Sequence, residues 1–197
     1  IWTIMASFKK GNNLFSSTFS GIEFTFDHYI TLFTDTPYMQ WYLNTFILAT
    51  ANMLISLVVV TMTAYVFSRY RFRGKRNTLM SILVLQMFPA FLSMTAIYIL
   101  LSKANLIDTY TGLLLVYVTG SLPFMTWLVK GYFDAIPTSL DEAAKIDGAG
   151  ELKTFLSIAL PLAKPIIAVM VLYYAVAHWN DYFNALLYVS DQTLEHL

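Results

Sequence analysis

Residues Pro137 to Pro161 read PTSLDEAAKIDGAGELKTFLSIALP, a long polar segment set between long apolar ones. Ser139-Leu140-Asp141-Glu142 has the form of a capping box, in which the Ser hydroxyl and the Glu carboxylate satisfy free N–H groups where a helix starts. Asp141 and Glu142 also suit a first helical turn, against its positive end. Leu140, Ala143 and Ala144 then fall on one face, at i, i+3 and i+4. Gly148-Ala149-Gly150 ends this helix, because Gly takes the left-handed C′ conformation without steric cost. A second helix is expected from Glu151, with Leu152, Phe155, Leu156 and Ala159 on one face and an interruption at Pro161. The pattern is helix, Gly turn, helix, and its small residues admit close approach by another surface.

The rest of the chain explains what holds this segment. Of 197 residues, 57% are hydrophobic and only 12% charged, about half the charge of an ordinary soluble domain. The missing charge points to a bilayer. Net charge is zero, so no basic excess suggests nucleic acid. The absence of Cys excludes disulfides and thiolate metal sites, and three scattered His form no metal constellation.

Working outward, Pro165 to about Leu187 reads as one span, following the segment. It carries His178-Trp179-Asn180-Asp181-Tyr182-Phe183-Asn184, and polar density at membrane depth marks a site or a water-lined face. The alternative is that the helix emerges from the membrane near His178. Before the segment, residues 112–128 read as a span interrupted by Gly120, Ser121 and Pro123, and residues 77–101 as another. Met80, Met87 and Met94 stand seven apart there, a stripe that suggests packing, and Pro89 is expected to kink it. Residues 41–67 form a further span, long enough to cross a core of about 30 Å. Asn44 and Asn52 within it are expected to hydrogen-bond neighbouring helices. Arg69, Arg71, Arg73, Lys75 and Arg76 follow it. That cluster, with the lysines around residues 130–164, places both polar loops in the cytoplasm, and Ser102–Thr111 and the segment after Leu187 outside. Lipid contact by the cations can coexist with this. Ile1 to Phe8 has the character of the tail of a helix, and a short helix is expected near Phe26–Phe33.

Glu142-Ala143-Ala144, three residues, Gly148, nine residues, Ile158, one residue, Leu160-Pro161 resembles the full EAA signature of permease subunits of ATP-binding-cassette (ABC) importers. Every fixed position is filled. The RYRFRGK, GYFDAIPTSLDEAAKIDGAG and LPLAKP stretches are similar to the carbohydrate branch of that family, in particular the second, G-type permease of maltose/maltodextrin and multiple-sugar importers. The resemblance covers nearly the whole chain. It implies an all-α, polytopic helical bundle of the type-I, methionine-permease-like class, over residues 1–197 as a partial domain lacking most of the first and all of the last family span. It implies a bacterial-type plasma (inner) membrane location, and as partners two ABC ATPase subunits, a paralogous permease and an extracytoplasmic solute-binding protein. Glu142, Ala143, Ala144, Asp147, Gly148, Ile158, Leu160 and Pro161 are then the residues expected to couple to the ATPases. For a sugar path the residues themselves suggest Trp179, Asn180, Asp181, Tyr182 and Asn184, since amides and carboxylates suit hydroxyls and aromatic rings suit sugar faces. No P-loop, catalytic Ser/His/Asp set, dinucleotide fingerprint or HExxH helix occurs. No cofactor is expected, with ATP bound by the partners. Three alternatives remain: an importer for glycerol phosphate or peptides, a channel or scaffold, and an intramembrane enzyme using His178 and Asp181.

Overall fold

Two long helices carry the architecture of the computed structural model, which describes residues 7–9, 24–87, 90–181 and 183–189. A short helix α1 (Asp27–Thr34) precedes the first of them, α2 (Tyr38–Arg69). After a turn come α3 (Lys75–Met87) and α4 (Ala90–Lys103), then the second long helix, α5 (Tyr110–Ala135). The polar segment forms α6 (Ser139–Ile146) and α7 (Glu151–Leu162). It is followed by α8 (Lys164–Ala177), a 3₁₀ turn (His178–Asn180) and α9 (Phe183–Tyr188). No strand occurs among the described residues; Lys9 and Phe24 make one isolated bridge.

At 1.5 Å per residue, α2 and α5 are about 48 and 39 Å long, each enough to cross a bilayer. Over much of its length α2 is inverted in polarity relative to a soluble helix, whereas α5 buries mainly large apolar residues. On α2 the buried stripe includes Asn44, Thr45, Ala49, Asn52, Ser56 and Val60, while Phe46, Ile47, Leu54, Val58 and Met62 are exposed. Small and polar residues face the neighbouring helices and large apolar ones face outward, as packing in lipid requires. α2 lies along α5, and α8 packs against α2.

Two apolar clusters fill the bundle. One joins Val60, Ala64 and Tyr65 of α2, Met125, Val129 and Phe133 of α5, Phe155 and Ala159 of α7, and Met170 and Tyr174 of α8. The other joins Leu48, Leu101, Leu113, Tyr117, Tyr188 and Val189 at the opposite end. A polar layer separates them, and Asn52, Ser56 and His178 are buried in it.

The structure revises several expectations. α5 runs unbroken through Gly120, Ser121 and Pro123. The Ser121 hydroxyl donates to the carbonyls of Tyr117 and Val118, and the Thr119 hydroxyl to those of Leu115 and Val116. The carbonyl that Pro123 leaves without its helical donor is that of Thr119, so these hydroxyl bonds lie one turn before the proline and do not replace the missing one. The span expected over 165–187 divides at Asp181, whose backbone is extended, so α9 is a separate element. The span expected over 77–101 is two helices inclined at 105°; Pro89, the expected kink, lies outside the described residues. The methionine stripe does not pack the interior of this chain: Met80 and Met87, seven apart on α3, share a face that is exposed.

Candidate functional site: a clamped helical loop and a polar cleft

The segment 137–161 folds as helix, turn, helix, but its details follow tertiary contacts rather than local caps. The chain is already helical at Thr138, and the Glu142 N–H bonds the Thr138 carbonyl at 3.1 Å. Ser139 is thereby inside the first turn and makes no cap, so the expected capping box does not form. The turn itself is as expected. Gly148 has φ +82°. Its N–H reaches the Lys145 carbonyl at 3.0 Å and the Ala149 N–H reaches the Ala144 carbonyl at 2.9 Å, the paired bonds of a Schellman turn. Lys145 and Glu151 bridge across the turn at 2.6 Å, and the Tyr70 hydroxyl also donates to Glu151.

One side chain fixes α6 to the bundle. Arg69, the last residue of α2, donates through Nε to the Asp141 carboxylate, and through its two other nitrogens to the carbonyls of Phe133 and Ile136 at 3.0 Å each. Both members of the pair are buried, with side chains 8% exposed. The ends of α2 and α5 and the start of α6 are thus joined at one guanidinium. Sequence reasoning counted Arg69 as one of a run of cations and Asp141 as a first-turn acid; the pairing spans 72 residues and leaves no local signal.

Asp141 and Ala144 form the inner face of α6. This separates Ala144 from Leu140 and Ala143, with which it was grouped. Leu140, Glu142, Ala143, Ile146, Asp147 and Gly148 point outward, and Ile146 is 86% exposed. On α7 the expected stripe also splits. Phe155 and Ala159 are buried while Leu152 and Leu156, the neighbouring i, i+4 pair, are exposed; residues Phe155–Ala159 form a π turn. Ile158 and Leu160 are half-buried and Pro161 is exposed. The chain passes through Pro161 and bends by 75° only beyond Leu162.

The second site is a cleft of about 190 Å³ between α2, α5 and α8, lined by Asn52, Tyr117, Ser121, Tyr174, His178, Asp181 and Asn184, among others. Asp181 accepts from the Tyr117 hydroxyl at 2.6 Å and the Asn184 amide at 3.1 Å. His178 Nδ1 lies 2.8 Å from the Tyr174 carbonyl and its Nε2 lies 2.9 Å from the Asn52 amide nitrogen. A carbonyl can only accept, so His178 carries a proton on Nδ1 and donates it to Tyr174. The Asn52 oxygen accepts from Ser56 at 3.1 Å. Asn44 accepts from the Tyr110 hydroxyl at 2.7 Å, so both α2 asparagines bond neighbouring elements as expected.

Of the residues expected along a solute path, the structure brings Asp181 and Asn184 into this cleft. It does not bring Trp179 or Asn180, which lie elsewhere. Trp179 packs on Tyr42 with ring centroids 5.2 Å apart, and Asn180 donates back to the Val176 carbonyl. The grouping rested on side-chain chemistry alone, and consecutive residues of a 3₁₀ turn and the break after it point in different directions. Tyr182 lies outside the described residues. Tyr117, Ser121 and Tyr174 were not anticipated; sequence marked Ser121 only as a helix breaker. His178 and Asp181 both line this cleft but are bonded to other groups, His178 to Tyr174 and Asn52, Asp181 to Tyr117 and Asn184.

The architecture is that of a helical membrane protein with a rigid helix–turn–helix at one end of the bundle and a polar cleft within it. The family described as binding-protein-dependent transport system inner membrane component matches residues 61–196, and the chain belongs to that family. It is 43% identical over 181 residues to the maltodextrin transport system permease protein MdxG of Bacillus subtilis (strain 168), covering 91% of this chain and 65% of that protein. It is 44% identical over 173 residues to the galactooligosaccharides transport system permease protein GanQ of the same strain, covering 86% and 61%. The chain therefore spans a little under two thirds of these curated relatives. Among solved structures, it superposes with a TM-score of 0.85 and 26% identity on a chain of a bacterial ABC transporter involved in the import of the acidic polysaccharide alginate, covering 98% of this chain and 69% of that one.

Proposed function

We propose that the chain is a permease subunit of an ATP-driven importer of oligosaccharides in the bacterial inner membrane. It forms part of the solute path and is not itself an enzyme. Partner ATPases hydrolyse ATP in the cytoplasm, a paralogous permease completes the path, and an extracytoplasmic binding protein delivers the solute. The sugar class rests on relatives of maltodextrin and galactooligosaccharide systems and on the hydroxyl, amide and carboxylate groups of the cleft. The observation that carries the coupling role is the outer face of α6. A helix clamped to two long helices by Arg69 still leaves Leu140 and Ile146 exposed, which suits a surface that presses into a groove on the ATPase and passes its movement to α2 and α5.

Gly148 supplies the test. A Cβ built there meets no atom of this chain within 4 Å, so Gly148→Asp carries only the left-handed backbone penalty of about 1–2 kcal/mol unless a partner lies against it. Gly148→Asp and Glu142→Lys should leave the subunit in the membrane, reduce ATPase co-purification and abolish solute-stimulated hydrolysis in vesicles. Normal docking and normal stimulation in both variants would refute the coupling role.

A further inference from the structure

The turn between α2 and α3 opens onto a groove that the transport reading does not use. Arg71, Lys75 and Arg76 form its rim, Leu79 and Met80 of α3 its lower wall, and Trp127 of α5 its floor; its volume is about 460 Å³. The Trp127 indole N–H donates to the Leu79 carbonyl at 3.3 Å, so the ring is held in place rather than swinging freely. Lys75 donates to the Tyr70 carbonyl at 3.1 Å. Neither Arg71 nor Arg76 has a carboxylate partner among the described residues. Nearby carboxylates are engaged elsewhere: Asp134 with Lys130, Asp141 with Arg69 and Glu151 with Lys145.

The groove is graded along the bundle axis. Cations stand at its mouth, a tryptophan lies below them and aliphatic side chains continue the wall. Its position, at the basic end of the bundle beside exposed Leu83 and Val84, is where the headgroup region of a bilayer meets the hydrocarbon. Tryptophan favours that boundary, and guanidinium groups favour phosphate oxygens. An acidic protein surface would satisfy the cations but not the apolar wall beneath them.

We propose that this groove is a binding site for an anionic glycerophospholipid of the leaflet on that side. Its phosphate lies between Arg71 and Arg76, and one acyl chain lies along Leu79, Met80 and Trp127. The site depends on the membrane placement of α2, α3 and α5 but not on sugar transport or ATPase docking.

The experiment is tryptophan quenching in the purified full-length assembly, reconstituted into phosphatidylcholine vesicles. A minor fraction of the lipid is either phosphatidylglycerol or phosphatidylcholine brominated on its acyl chains. The chain has four tryptophans, and Trp127→Phe identifies the share belonging to Trp127. That share should be quenched preferentially by the brominated phosphatidylglycerol. Each arginine neutralised in Arg71→Gln and Arg76→Gln should lower the preference roughly fivefold, while Arg71→Lys with Arg76→Lys should retain most of it. Equal quenching by the two lipids would overturn the proposal. So would a double Gln variant that keeps the preference, and one that loses ATPase subunits with its lipid selectivity unchanged would assign the cations to an acidic protein surface instead.

Discussion

Arg69 has more tertiary hydrogen bonds than its place in a basic run suggests. Its guanidinium meets one carboxylate and two backbone carbonyls in a buried corner, and removing one member of such a pair leaves the other charged and desolvated. Arg69→Ala should cost about 3–5 kcal/mol of local stability. The exchanged pair Arg69→Asp with Asp141→Arg should not recover it, because a carboxylate at 69 would face the carbonyls of Phe133 and Ile136. Arg69→Lys should be intermediate, since an ammonium lacks the planar fork that spans those acceptors. Limited proteolysis at Lys145 and Lys153 checks this: cleavage should accelerate in the alanine and exchanged variants and least in Arg69→Lys. At this scale Gly148 was legible from sequence and Arg69 was not. A left-handed turn is dictated by a few consecutive residues, whereas a clamp between residues 69 and 141 exists only once the helices have packed.

At the scale of elements, the polar segment is held by electrostatics that respond to pH in opposite directions at two groups. The Lys145 ammonium and the Tyr70 hydroxyl hold the Glu151 carboxyl below the usual carboxylate range. The bridge across the Gly turn therefore contributes above the unfolded value of about 4.3 and is lost as pH falls through the lower folded value. Burial, followed by its bond to Glu151, pushes the Tyr70 phenol up to about 12. Its contribution is complete below the unfolded value of about 10 and disappears as pH rises through about 12. The tie between the α2–α3 turn and α7 should thus persist across neutral pH and fail at the two extremes. Tyr70→Phe should remove one phenolate titration near pH 12 from the ultraviolet difference spectrum; a lost transition near 10 would mean that the bond to Glu151 is absent. Element boundaries were legible where the chain is uniformly apolar, as in α2. They were misplaced where a special turn intervenes, because neither the π turn at Phe155–Ala159 nor the break at Asp181 follows from a 3.6-residue period.

At the scale of the molecule, topology turns on α3 and α4. Two helices inclined at 105° can form a broken span or a re-entrant loop, and their contacts with α5 distinguish the two. Leu79 of α3 meets Trp127, toward the end of α5 that carries Lys130 and leads into α6. Leu101 of α4 packs with Leu113 and Tyr117 at the other end of α5, and Met94 accepts from Tyr188 there. From Trp127 to Leu113 along a helix is about 21 Å, a large part of a hydrocarbon core of about 30 Å. The pair therefore traverses the bundle despite its bend. Charge gives the same answer independently. A re-entrant loop would leave Ser102 on the side of Arg73, and α5 would then carry Lys145 to the opposite face, dividing the basic loops that the positive-inside rule keeps together. Single cysteines at Arg73, Ser102 and Lys145, in a chain with no cysteine of its own, separate the cases. With an impermeant maleimide applied outside intact cells, Ser102→Cys should label while Arg73→Cys and Lys145→Cys react only after permeabilisation. Labelling of position 145 with neither 102 nor 73 would make α3 and α4 a re-entrant loop, and labelling of 73 and 145 without 102 would invert the whole chain. Either would remove α6 from the face on which the proposed coupling depends.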